Sequence, residues 1–333
     1  MLSNLRRATG RLLLSASVAL WLLTVWCFYR QPDHFAAYTV LPIWIWGGCG
    51  LLLCGGACYL SRGRWLWLVA GGWIITLLIG ADEARVLMHW GKSAPLPGPA
   101  AAHDGMPVLR VITCNCALFA FGDPSAEIAA WQPDIVLLQD IRPYQVGHVA
   151  MALYGGHGEF RAHDTNGIIT RWKFQREVPN KTERDQQATI TLPDGSAVEV
   201  VNVHLTTAAT DLRFWRRSTW TGHRINRALR LHELDLVLQA LRQSTDFPNT
   251  PVVFGGDFNA PASDIACHQL GPGLIDAFAA AGTGWGDSFH RRFPILRIDH
   301  LYATKQFLPV RCHTITTRHS DHRMVVADFV IRR

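Results

Sequence analysis

Polar residues suited to phosphate chemistry directly follow the apolar run at residues 251–254. The sequence Gly-Gly-Asp-Phe-Asn at 255–259 contains Asp257 and Asn259, two residues apart. Because alternate residues of a strand point to the same face, a short strand ending here presents a carboxylate and a carboxamide side by side. That pair suits a site that must hold a hard metal ion and a phosphate oxygen together.

Similar polar residues stand at or near the ends of several other apolar runs. Each one alone is usually a turn former or an ordinary surface or core residue. A whole set is harder to explain in that way, since carboxylates buried together are costly unless a cation neutralises them. The set comprises Asn115, Asp140, Asn202, His204, Asp257, Asn259, Asp299, His300, Ser320, Asp321 and His322. With no paired cysteines and no His-rich cluster, it favours oxygen coordination of Mg²⁺ or Mn²⁺ over a zinc site.

Strands and a few helices must position these residues. Strand-like runs lie at residues 108–114, 135–139, 167–170, 188–192, 197–205, 251–255, 300–303 and 324–331. Helices are predicted at 124–131 and 226–243, where Leu231, Leu234, Leu238 and Leu241 form one apolar stripe. The mixture predicts an α/β domain whose strands pair largely antiparallel and whose helices lie outside. Roughly 225 residues are enough for one such domain with a sizeable core.

The polar residues and their order resemble the endonuclease/exonuclease/phosphatase superfamily, over residues 108–333. The similarity rests on Asn115, Leu-Leu-Gln-Asp at 137–140, Asn-Val-His at 202–204, Gly-Asp-Phe-Asn at 256–259, Asp-His at 299–300 and Ser-Asp-His at 320–322. The superfamily includes DNase I, apurinic endonucleases, neutral sphingomyelinases and inositol-polyphosphate phosphatases. The resemblance implies a four-layered α/β sandwich of the DNase I type. It also implies metal-dependent cleavage of a phosphoester or phosphoanhydride.

The resemblance further implies a metal site for Mg²⁺ or Mn²⁺. Asn115 and Asp140 correspond to metal ligands, and Asp321 to a further one. The family usually has Glu where this chain has Asp140. The shorter side chain is expected to shift the ion, add a bridging water or lower the affinity.

Five residues are assigned catalytic roles by the same resemblance. Asp257 orients or deprotonates the attacking water, and Asn259 places that water or a phosphate oxygen. His322 contacts the phosphoryl group, and Asp299 fixes its tautomer. His204 is the second catalytic histidine, which donates to a phosphoryl or leaving oxygen.

A basic and aromatic segment at residues 213–230 contains six arginines, Phe214, two tryptophans and no acidic residue. One interpretation is an exposed helix face with packed aromatics. Another is a loop that contacts anionic headgroups or a phosphorylated substrate, or that stacks single-stranded bases. The predicted substrate contacts are Asn202, Arg213, Trp215, Arg216, Arg217 and Trp220.

The first third of the chain is strongly apolar. Residues 12–28, 38–60 and 65–80 contain no charged side chain. A membrane core of ~30 Å requires ~20 helical residues, so the first two stretches are predicted to span it. The third is short unless its helix continues towards residue 90. The alternative for residues 1–30 is a cleaved signal peptide, in which Arg6, Arg7 and Arg11 precede the apolar run.

Basic residues near these stretches predict their orientation. Arg6, Arg7 and Arg11 precede the first stretch, and Arg62 and Arg64 lie between the second and third. Since cytoplasmic loops are enriched in Lys and Arg, three spans would place the rest of the chain outside the cytoplasm. If the third stretch does not cross, the domain is cytoplasmic. Four tryptophans near the ends of these stretches are predicted to lie in the membrane interface: Trp26, Trp65, Trp67 and Trp90.

We therefore predict a membrane domain at residues 1–90, a Pro-rich linker at 91–107 and a phosphohydrolase domain at 108–333. From residue 105 onward, the chain contains 24 Lys and Arg and 22 Asp and Glu, which gives a net charge of only +2. This near-neutral charge disfavours a general nucleic-acid binder. The eight cysteines show no zinc-type spacing, and no disulfide framework is predicted.

The layout resembles the membrane-anchored branch that includes the teicoplanin-resistance proteins. This resemblance implies an integral protein of the bacterial cell membrane whose substrate is a polyprenyl pyrophosphate outside the cytoplasm. The alternatives are an extracytoplasmic nuclease, a phospholipid or sphingomyelin phosphodiesterase, and a non-catalytic membrane scaffold. No protein partner is predicted.

Overall fold

The computed structural model describes residues 2–61, 63–89, 91–208 and 211–332. Arg62, one of the basic residues that predict the orientation, and Trp90, assigned to the interfacial belt, lie outside the described residues. The chain forms two compact units. The first comprises Met1–Met88 and Asp211–Arg224, and the second comprises His89–Thr210 and Ile225–Arg333.

The first unit is helical. Its helices are α1 (Leu2–Arg30), α2 (Ala36–Thr39), α3 (Ile43–Leu60), α4 (Arg64–Gly80) and α5 (Asp82–Val86), with a 3₁₀ turn at Asp33–Phe35. Two segments, Asn4–Arg30 and Ile43–Leu60, are long and apolar enough to cross a membrane. Helix α4 is apolar too, but it has 17 residues.

A buried contact among α1, α3 and α4 holds this unit together. The Ser17 hydroxyl of α1 donates to the Gly50 carbonyl of α3 (2.9 Å) and accepts from the Trp73 indole of α4 (3.1 Å). The Trp73 ring is fully buried. A Cβ atom at Gly50 would lie 2.0 Å from that ring, so only glycine admits it. Small residues that allow such close approach are typical of helix packing in membranes.

The second unit is built on two mixed β-sheets. The seven-stranded sheet has the order β10-β12-β13-β1-β2-β4-β3, and the six-stranded sheet has the order β5-β6-β7-β8-β11-β9. The strands are β1 (Val108–Asn115), β2 (Ile135–Gln139), β3 (Glu159–His163), β4 (Asn166–Thr170), β5 (Phe174–Val178), β6 (Asp185–Thr191), β7 (Ala197–His204), β8 (Val252–Asp257), β9 (Ile275–Asp276), β10 (Gly282–Thr283), β11 (Asp299–Ala303), β12 (Phe307–Ile315) and β13 (Met324–Ile331). Most strand pairs are antiparallel, while β1–β2, β7–β8 and β10–β12 are parallel.

Helices cover the outer face of each sheet. They are α6 (Ser125–Ala129), α7 (Pro143–Tyr154), α8 (Arg217–Ser244), α9 (Ile265–His268) and α10 (Ala277–Ala281). Residues of α6 and α7, such as Ile128 and Val146, pack against β1 and β2. Leu234 and Leu238 of α8 pack against β7 and β8. Helix, sheet, sheet and helix thus form the predicted four-layered sandwich, and the fold class is confirmed.

Several elements differ from the sequence-based expectation. All eight predicted strands are present, but β3, β5, β12 and the two-residue β9 and β10 were not predicted. Strand β12 contains Pro309, and its pairing shifts between Pro309 and Arg311, which breaks the alternating pattern. Helix α7 was missed because its first residue is Pro143, which favours a helix start as well as a turn. Helix α8 begins nine residues before the predicted start at 226, through residues with weak helix propensity.

Part of the Pro-rich segment before β1 is hydrogen-bonded to other residues of the second unit. The Gly98 amide donates to the Ala130 carbonyl (2.7 Å), and Arg110 donates to the Leu96 carbonyl (2.8 Å) and the Gly98 carbonyl (2.7 Å). Arg110 is 1% exposed and also forms a bidentate ion pair with Asp328. Residues 96–98 are therefore fixed against the first sheet.

Candidate active site

The ends of four strands bring the predicted catalytic residues to one end of the sandwich. Asp257 ends β8 and pairs with Asp299, the first residue of the antiparallel strand β11. It also pairs with His204, the last residue of the parallel strand β7. Asn115 ends β1 of the other sheet, and its side chain reaches Asp257. The strand register therefore assembles the site from residues far apart in the sequence.

The local backbone explains the glycines before Asp257. Gly256 has φ +134, and a Cβ atom there would lie 2.0 Å from the Val203 carbonyl oxygen. No residue with a side chain fits this close approach of β7 to β8. The glycine thus allows Asp257 to lie beside His204 at the strand end.

Hydrogen bonds hold the Asp257 carboxylate in place. Its Oδ2 accepts from Asn115 Nδ2 (3.0 Å) and Asn259 Nδ2 (3.4 Å), and its Oδ1 accepts from the Asn259 amide (2.8 Å). Asn259 also donates to the Leu205 carbonyl (2.9 Å). The carboxylate is 1% exposed, so amide donors replace the water that it loses on burial.

His322 is fixed by a second set of hydrogen bonds. Its Nδ1 lies 2.9 Å from Asp299 Oδ2, while its Nε2 lies 3.9 Å from Asp257 Oδ2. The Ser320 hydroxyl accepts from the His322 amide (3.0 Å) and donates to the Asn115 carbonyl (2.6 Å). Asp299 thus orients the ring so that Nε2 faces the Asp257 carboxylate.

Burial and charge set the protonation of this cluster. Burial raises the pKa of Asp257, and the Asp299 charge adds to this, opposed by His322 and His204. Burial alone would lower the pKa of His322, but the Asp299 and Asp257 carboxylates outweigh it and raise the pKa to about 10. The two neighbouring carboxylates therefore favour the protonated form of His322.

His204 connects Asp257 to Asp140. Its Nε2 lies 3.8 Å from Asp257 Oδ2, and its Nδ1 lies 3.8 Å from Asp140 Oδ1. Asp140 follows β2, which runs parallel to β1, so it lies near Asn115 at the same end of the sheet. The Asp140 side chain is 37% exposed, and the His204 side chain 12%. Asp321 lies close enough to His322 for its charge to raise the histidine pKa.

The donor set fits a hard divalent cation. Asp257, Asp299 and His322 each offer a ligand atom, and these atoms lie within 4.8 Å of one another. Asp299 Oδ1 is buried with no hydrogen-bond partner among the described residues. Carboxylate oxygens are ligands that such a cation prefers. The assignment of Asn115 and Asp140 as metal ligands, implied by the resemblance, stays a prediction.

Asn202 lies elsewhere than predicted. It is fully buried between the sheets, where its Nδ2 donates to the Leu138 carbonyl (2.8 Å) and the Gly167 carbonyl (3.0 Å). Its Oδ1 accepts from Gln139 Nε2 (2.6 Å). Both amide protons are therefore used in joining the two sheets. We assign Asn202 a structural role in place of the expected substrate contact.

The basic and aromatic segment is divided between the two units. Arg213, Trp215, Arg216, Arg217 and Trp220 belong to the first unit. Trp220 packs edge-on against Phe35 (5.9 Å between ring centroids) and Phe214 (6.0 Å), and Phe35 packs against Trp26 (5.4 Å).

The exposure of its side chains also varies along this segment. Trp215 is 80% exposed, and Arg213 pairs with Asp211 (2.8 Å). Arg227 and Arg230 of the second unit are instead 1% and 3% exposed and lie near Asp264. The interpretation of residues 213–230 as one exposed helix face is therefore wrong for these two arginines.

Two further residues shape the site. Ser320 links His322 to Asn115, and the Phe289 ring lies 4.9 Å from the His322 ring. Ser320 belongs to the polar set named from the sequence, as part of Ser-Asp-His at 320–322, but no role was assigned to it there. Phe289 had no signal in the sequence, because its contact depends on a bridge to His322 that only the fold creates.

The sequence profile of the Endonuclease/Exonuclease/phosphatase family matches residues 113–322, well over half of the chain. No curated protein matches the sequence.

Solved structures share the fold at low sequence identity. An endonuclease/exonuclease/phosphatase from Bacteroides vulgatus is 17% identical, with a TM-score of 0.54 over 68% of this chain and 100% of that chain. A humanized TDP2 of D. rerio is 19% identical, with a TM-score of 0.51 over 67% and 98%. A mannosyl-6-phosphatase from Bacteroides thetaiotaomicron is 17% identical, with a TM-score of 0.51 over 67% and 100%. At these identities the likeness concerns the fold alone.

Proposed function

Because the chain belongs to the endonuclease/exonuclease/phosphatase family of metal-dependent phosphoesterases and nucleases, we propose that it is a membrane-anchored phosphohydrolase. Its substrate is a lipid-linked phosphoanhydride such as a polyprenyl pyrophosphate, and the reaction takes place outside the cytoplasm. The observation that carries the hydrolase assignment is the buried cluster of Asp257, Asp299 and His322 at the strand ends.

In the proposed mechanism, Asp257 accepts a proton from the attacking water. Its raised pKa favours this role, since a general base works best when its pKa approaches the operating pH. Asn259 and Asn115 hold the carboxylate by hydrogen bonds. The water oxygen bonds to phosphorus while the bond from phosphorus to the leaving oxygen breaks.

His322 binds the phosphoryl oxygens as a cation. Asp299 holds its Nδ1–H, so that Nε2–H is left to donate to an oxygen on which negative charge develops. His204, between Asp257 and Asp140, donates to the leaving oxygen. A divalent cation held by Asn115 and Asp140 would polarise the phosphoryl group and stabilise the leaving group.

Membrane anchoring is supported by the first unit. Two of its helices are long and apolar enough to span a bilayer, and α4 packs against both through Trp73 and Ser17. Many of its apolar side chains are exposed, including Leu52, Trp67 and Ile79, as expected for surfaces that face lipid. We retain the division into a membrane domain at 1–90, a linker at 91–107 and a hydrolase domain at 108–333.

A lipid-linked substrate is supported by the aromatic cluster of the same unit. Trp26, at one end of α1, joins Phe35 and Trp220, and the exposed Trp215 and Arg217 lie nearby in the chain. Tryptophan is enriched at membrane interfaces, and arginine binds phosphate through paired N–H groups. We infer that this segment contacts headgroups of anionic lipids.

A hydrolysis screen tests the proposal, with inorganic phosphate measured for the pyrophosphate, phosphocholine for sphingomyelin and shortened strands for the nucleic acids. The purified full chain would be assayed with Mg²⁺ or Mn²⁺ against a polyprenyl pyrophosphate, sphingomyelin, DNA and RNA, with the Asp257→Asn variant as the inactive control. We expect release from the pyrophosphate alone, abolished in the variant and by a chelator. Cleavage of DNA or RNA would instead make the protein a nuclease. Equal release by wild type and Asp257→Asn would reject the catalytic assignment.

A reporter fused after residue 333 tests the location. A periplasmic-type reporter should be active, and a cytoplasmic one inactive, if the domain lies outside. The reverse result would place the domain in the cytoplasm.

A further inference from the structure

A polar cavity of about 130 Å³ lies between the edges of the two sheets in the second unit. Its lining includes Arg161 and His163 of β3, Gln186 of β6 and Asn180 in the connection between β5 and β6. None of the described residues that line it is acidic. This space is large enough for a small oxyanion.

A row of polar residues leads from the catalytic centre to this cavity. In the strand register, Asn115 pairs with Gln139, Gln139 with Asn166, and Asn166 with His163. Paired residues share a face of the sheet, and Asn115 and Gln139 both reach across to the second sheet. Asn166 and His163 therefore face inward as well. Three steps between neighbouring strands place His163 roughly 14 Å from Asn115.

Two buried side chains have atoms without a hydrogen-bond partner among the described residues. Gln186 is 4% exposed and lines the cavity, and its Oε1 is one of these atoms. Asn166, in the row itself, is fully buried and unpaired at both Nδ2 and Oδ1, but it does not line the cavity. Buried polar groups without partners are costly and rare. A ligand in the cavity that donates a hydrogen bond would satisfy Gln186 Oε1.

We propose that the cavity is a second anion site, which binds hydrogenphosphate through Arg161, His163 and Gln186. The guanidinium and imidazole groups donate to the anionic oxygens. At neutral pH, inorganic phosphate always carries at least one P–OH group, and this group donates to Gln186 Oε1. Sulfate has the same size and shape but no such proton, so the site distinguishes the two. The ligand that the proposed function would supply is the phosphate released by hydrolysis, because a cavity roughly 14 Å from Asn115 is out of reach of the second phosphate of a pyrophosphate bound at the catalytic centre.

Calorimetric titration of the purified full chain with sodium phosphate, in the presence of a chelator, tests the site. The chelator removes metal-dependent phosphate binding at the catalytic centre. We expect one binding event that is at least tenfold tighter for phosphate than for sulfate. Arg161→Gln should weaken phosphate binding at least tenfold, and Gln186→Leu should remove the preference over sulfate. The exposed Arg242, outside the cavity, gives the matched control Arg242→Gln, which should bind as wild type does.

His322→Ala separates this site from the catalytic centre. Phosphate binding that persists in this variant supports the proposal, whereas its loss places the anion at the catalytic centre and overturns it. No binding to the wild-type chain, or equal binding by Arg161→Gln, would mean that the cavity holds only water. Thermal melting of each variant confirms that it is folded.

Kinetics test whether released phosphate acts at this cavity. If it does, phosphate should inhibit without competing with substrate, and Arg161→Gln should relieve the inhibition. Competitive inhibition that is equal in wild type and Arg161→Gln would place the inhibitory phosphate at the catalytic centre. The binding experiment requires no turnover, so it can succeed even where the proposed hydrolase activity fails.

Discussion

In the helical unit, the absence of a side chain at Gly50 lets Trp73 pack against α3, whereas the strand ends of the second unit place two carboxylates beside each other. The first contact is stabilised by close packing and by the hydrogen bonds of Ser17 to Gly50 and Trp73. The second carries an electrostatic cost, visible in the raised pKa of Asp257. Packing in the helical unit therefore serves stability, whereas the carboxylates at the strand ends serve chemistry at a cost in stability, so substitutions should have opposite effects on stability in the two regions.

The strongest test of this contrast is Asp257→Asn. We expect activity to fall by on the order of 10²–10⁴-fold, because the general base is lost. The free energy of unfolding should rise, because a neutral amide relieves the repulsion from Asp299 and costs less to bury. Phosphate release and thermal melting in chelator measure the two effects.

A matched control is Asp104→Asn, since the Asp104 side chain is 83% exposed. Neither its activity nor its melting temperature should change. If Asp257→Asn instead destabilises the fold, the carboxylate serves packing and the contrast between the regions is lost.

The corresponding test in the helical unit is Gly50→Leu. Its side chain would collide with the buried Trp73 ring, and overpacking of this kind costs about 1–3 kcal/mol. Gly48 lies in the same helix, and a Cβ atom added there would meet no neighbouring heavy atom within 4 Å, so Gly48→Leu is the matched control. Unfolding in detergent should show a lower free energy of unfolding for Gly50→Leu and no change for Gly48→Leu. Turnover of a soluble substrate analogue by the folded fraction should be unchanged.

The sequence predicted the fold well where patterns are local. The predicted bounds of the buried strands β2 and β13 match the structure to the residue, because continuous apolar runs mark these strands. The edge strands β3 and β5 carry mixed side chains, such as Glu159 and Arg176, so no alternation marks them. Their existence depends on pairing with neighbours that the sequence does not identify.

The sequence predicts which residues form the candidate site, but it does not predict the contacts between them. Asp257, Asp299 and His322 could be named because their neighbours in sequence resemble a family. That Asn202 joins the sheets, however, follows from its hydrogen bonds to Leu138 and Gly167, which lie in another sheet. Such contacts arise only after the two sheets pack, so no local pattern reports them.

The stability of the catalytic centre should depend on pH through His322. The neighbouring carboxylates raise the pKa of His322 from 6.5 to about 10. A raised folded-state pKa stabilises the protein fully below pH 6.5 and loses this contribution as the pH rises towards 10. Without metal, the wild-type chain should therefore lose more stability across this window than His322→Asn does.

Denaturant titrations at several pH values in chelator measure this slope. The exposed His157 provides the control His157→Asn, which should follow the wild-type curve. Parallel curves for wild type and His322→Asn would mean that His322 is not held protonated by Asp299 and Asp257.

The smallest expected effect concerns Trp215, which lies in the first unit and is 80% exposed. If it inserts at a membrane surface, Trp215→Ala should lower turnover of a substrate embedded in vesicles severalfold, since partial burial of one side chain contributes about 1 kcal/mol. Turnover of a soluble analogue should not change. Tyr144→Ala, at an exposed position of α7, should affect neither substrate. An equal loss on both substrates would assign Trp215 to the fold or the chemistry of the enzyme, and the division of labour between the two units would then not hold.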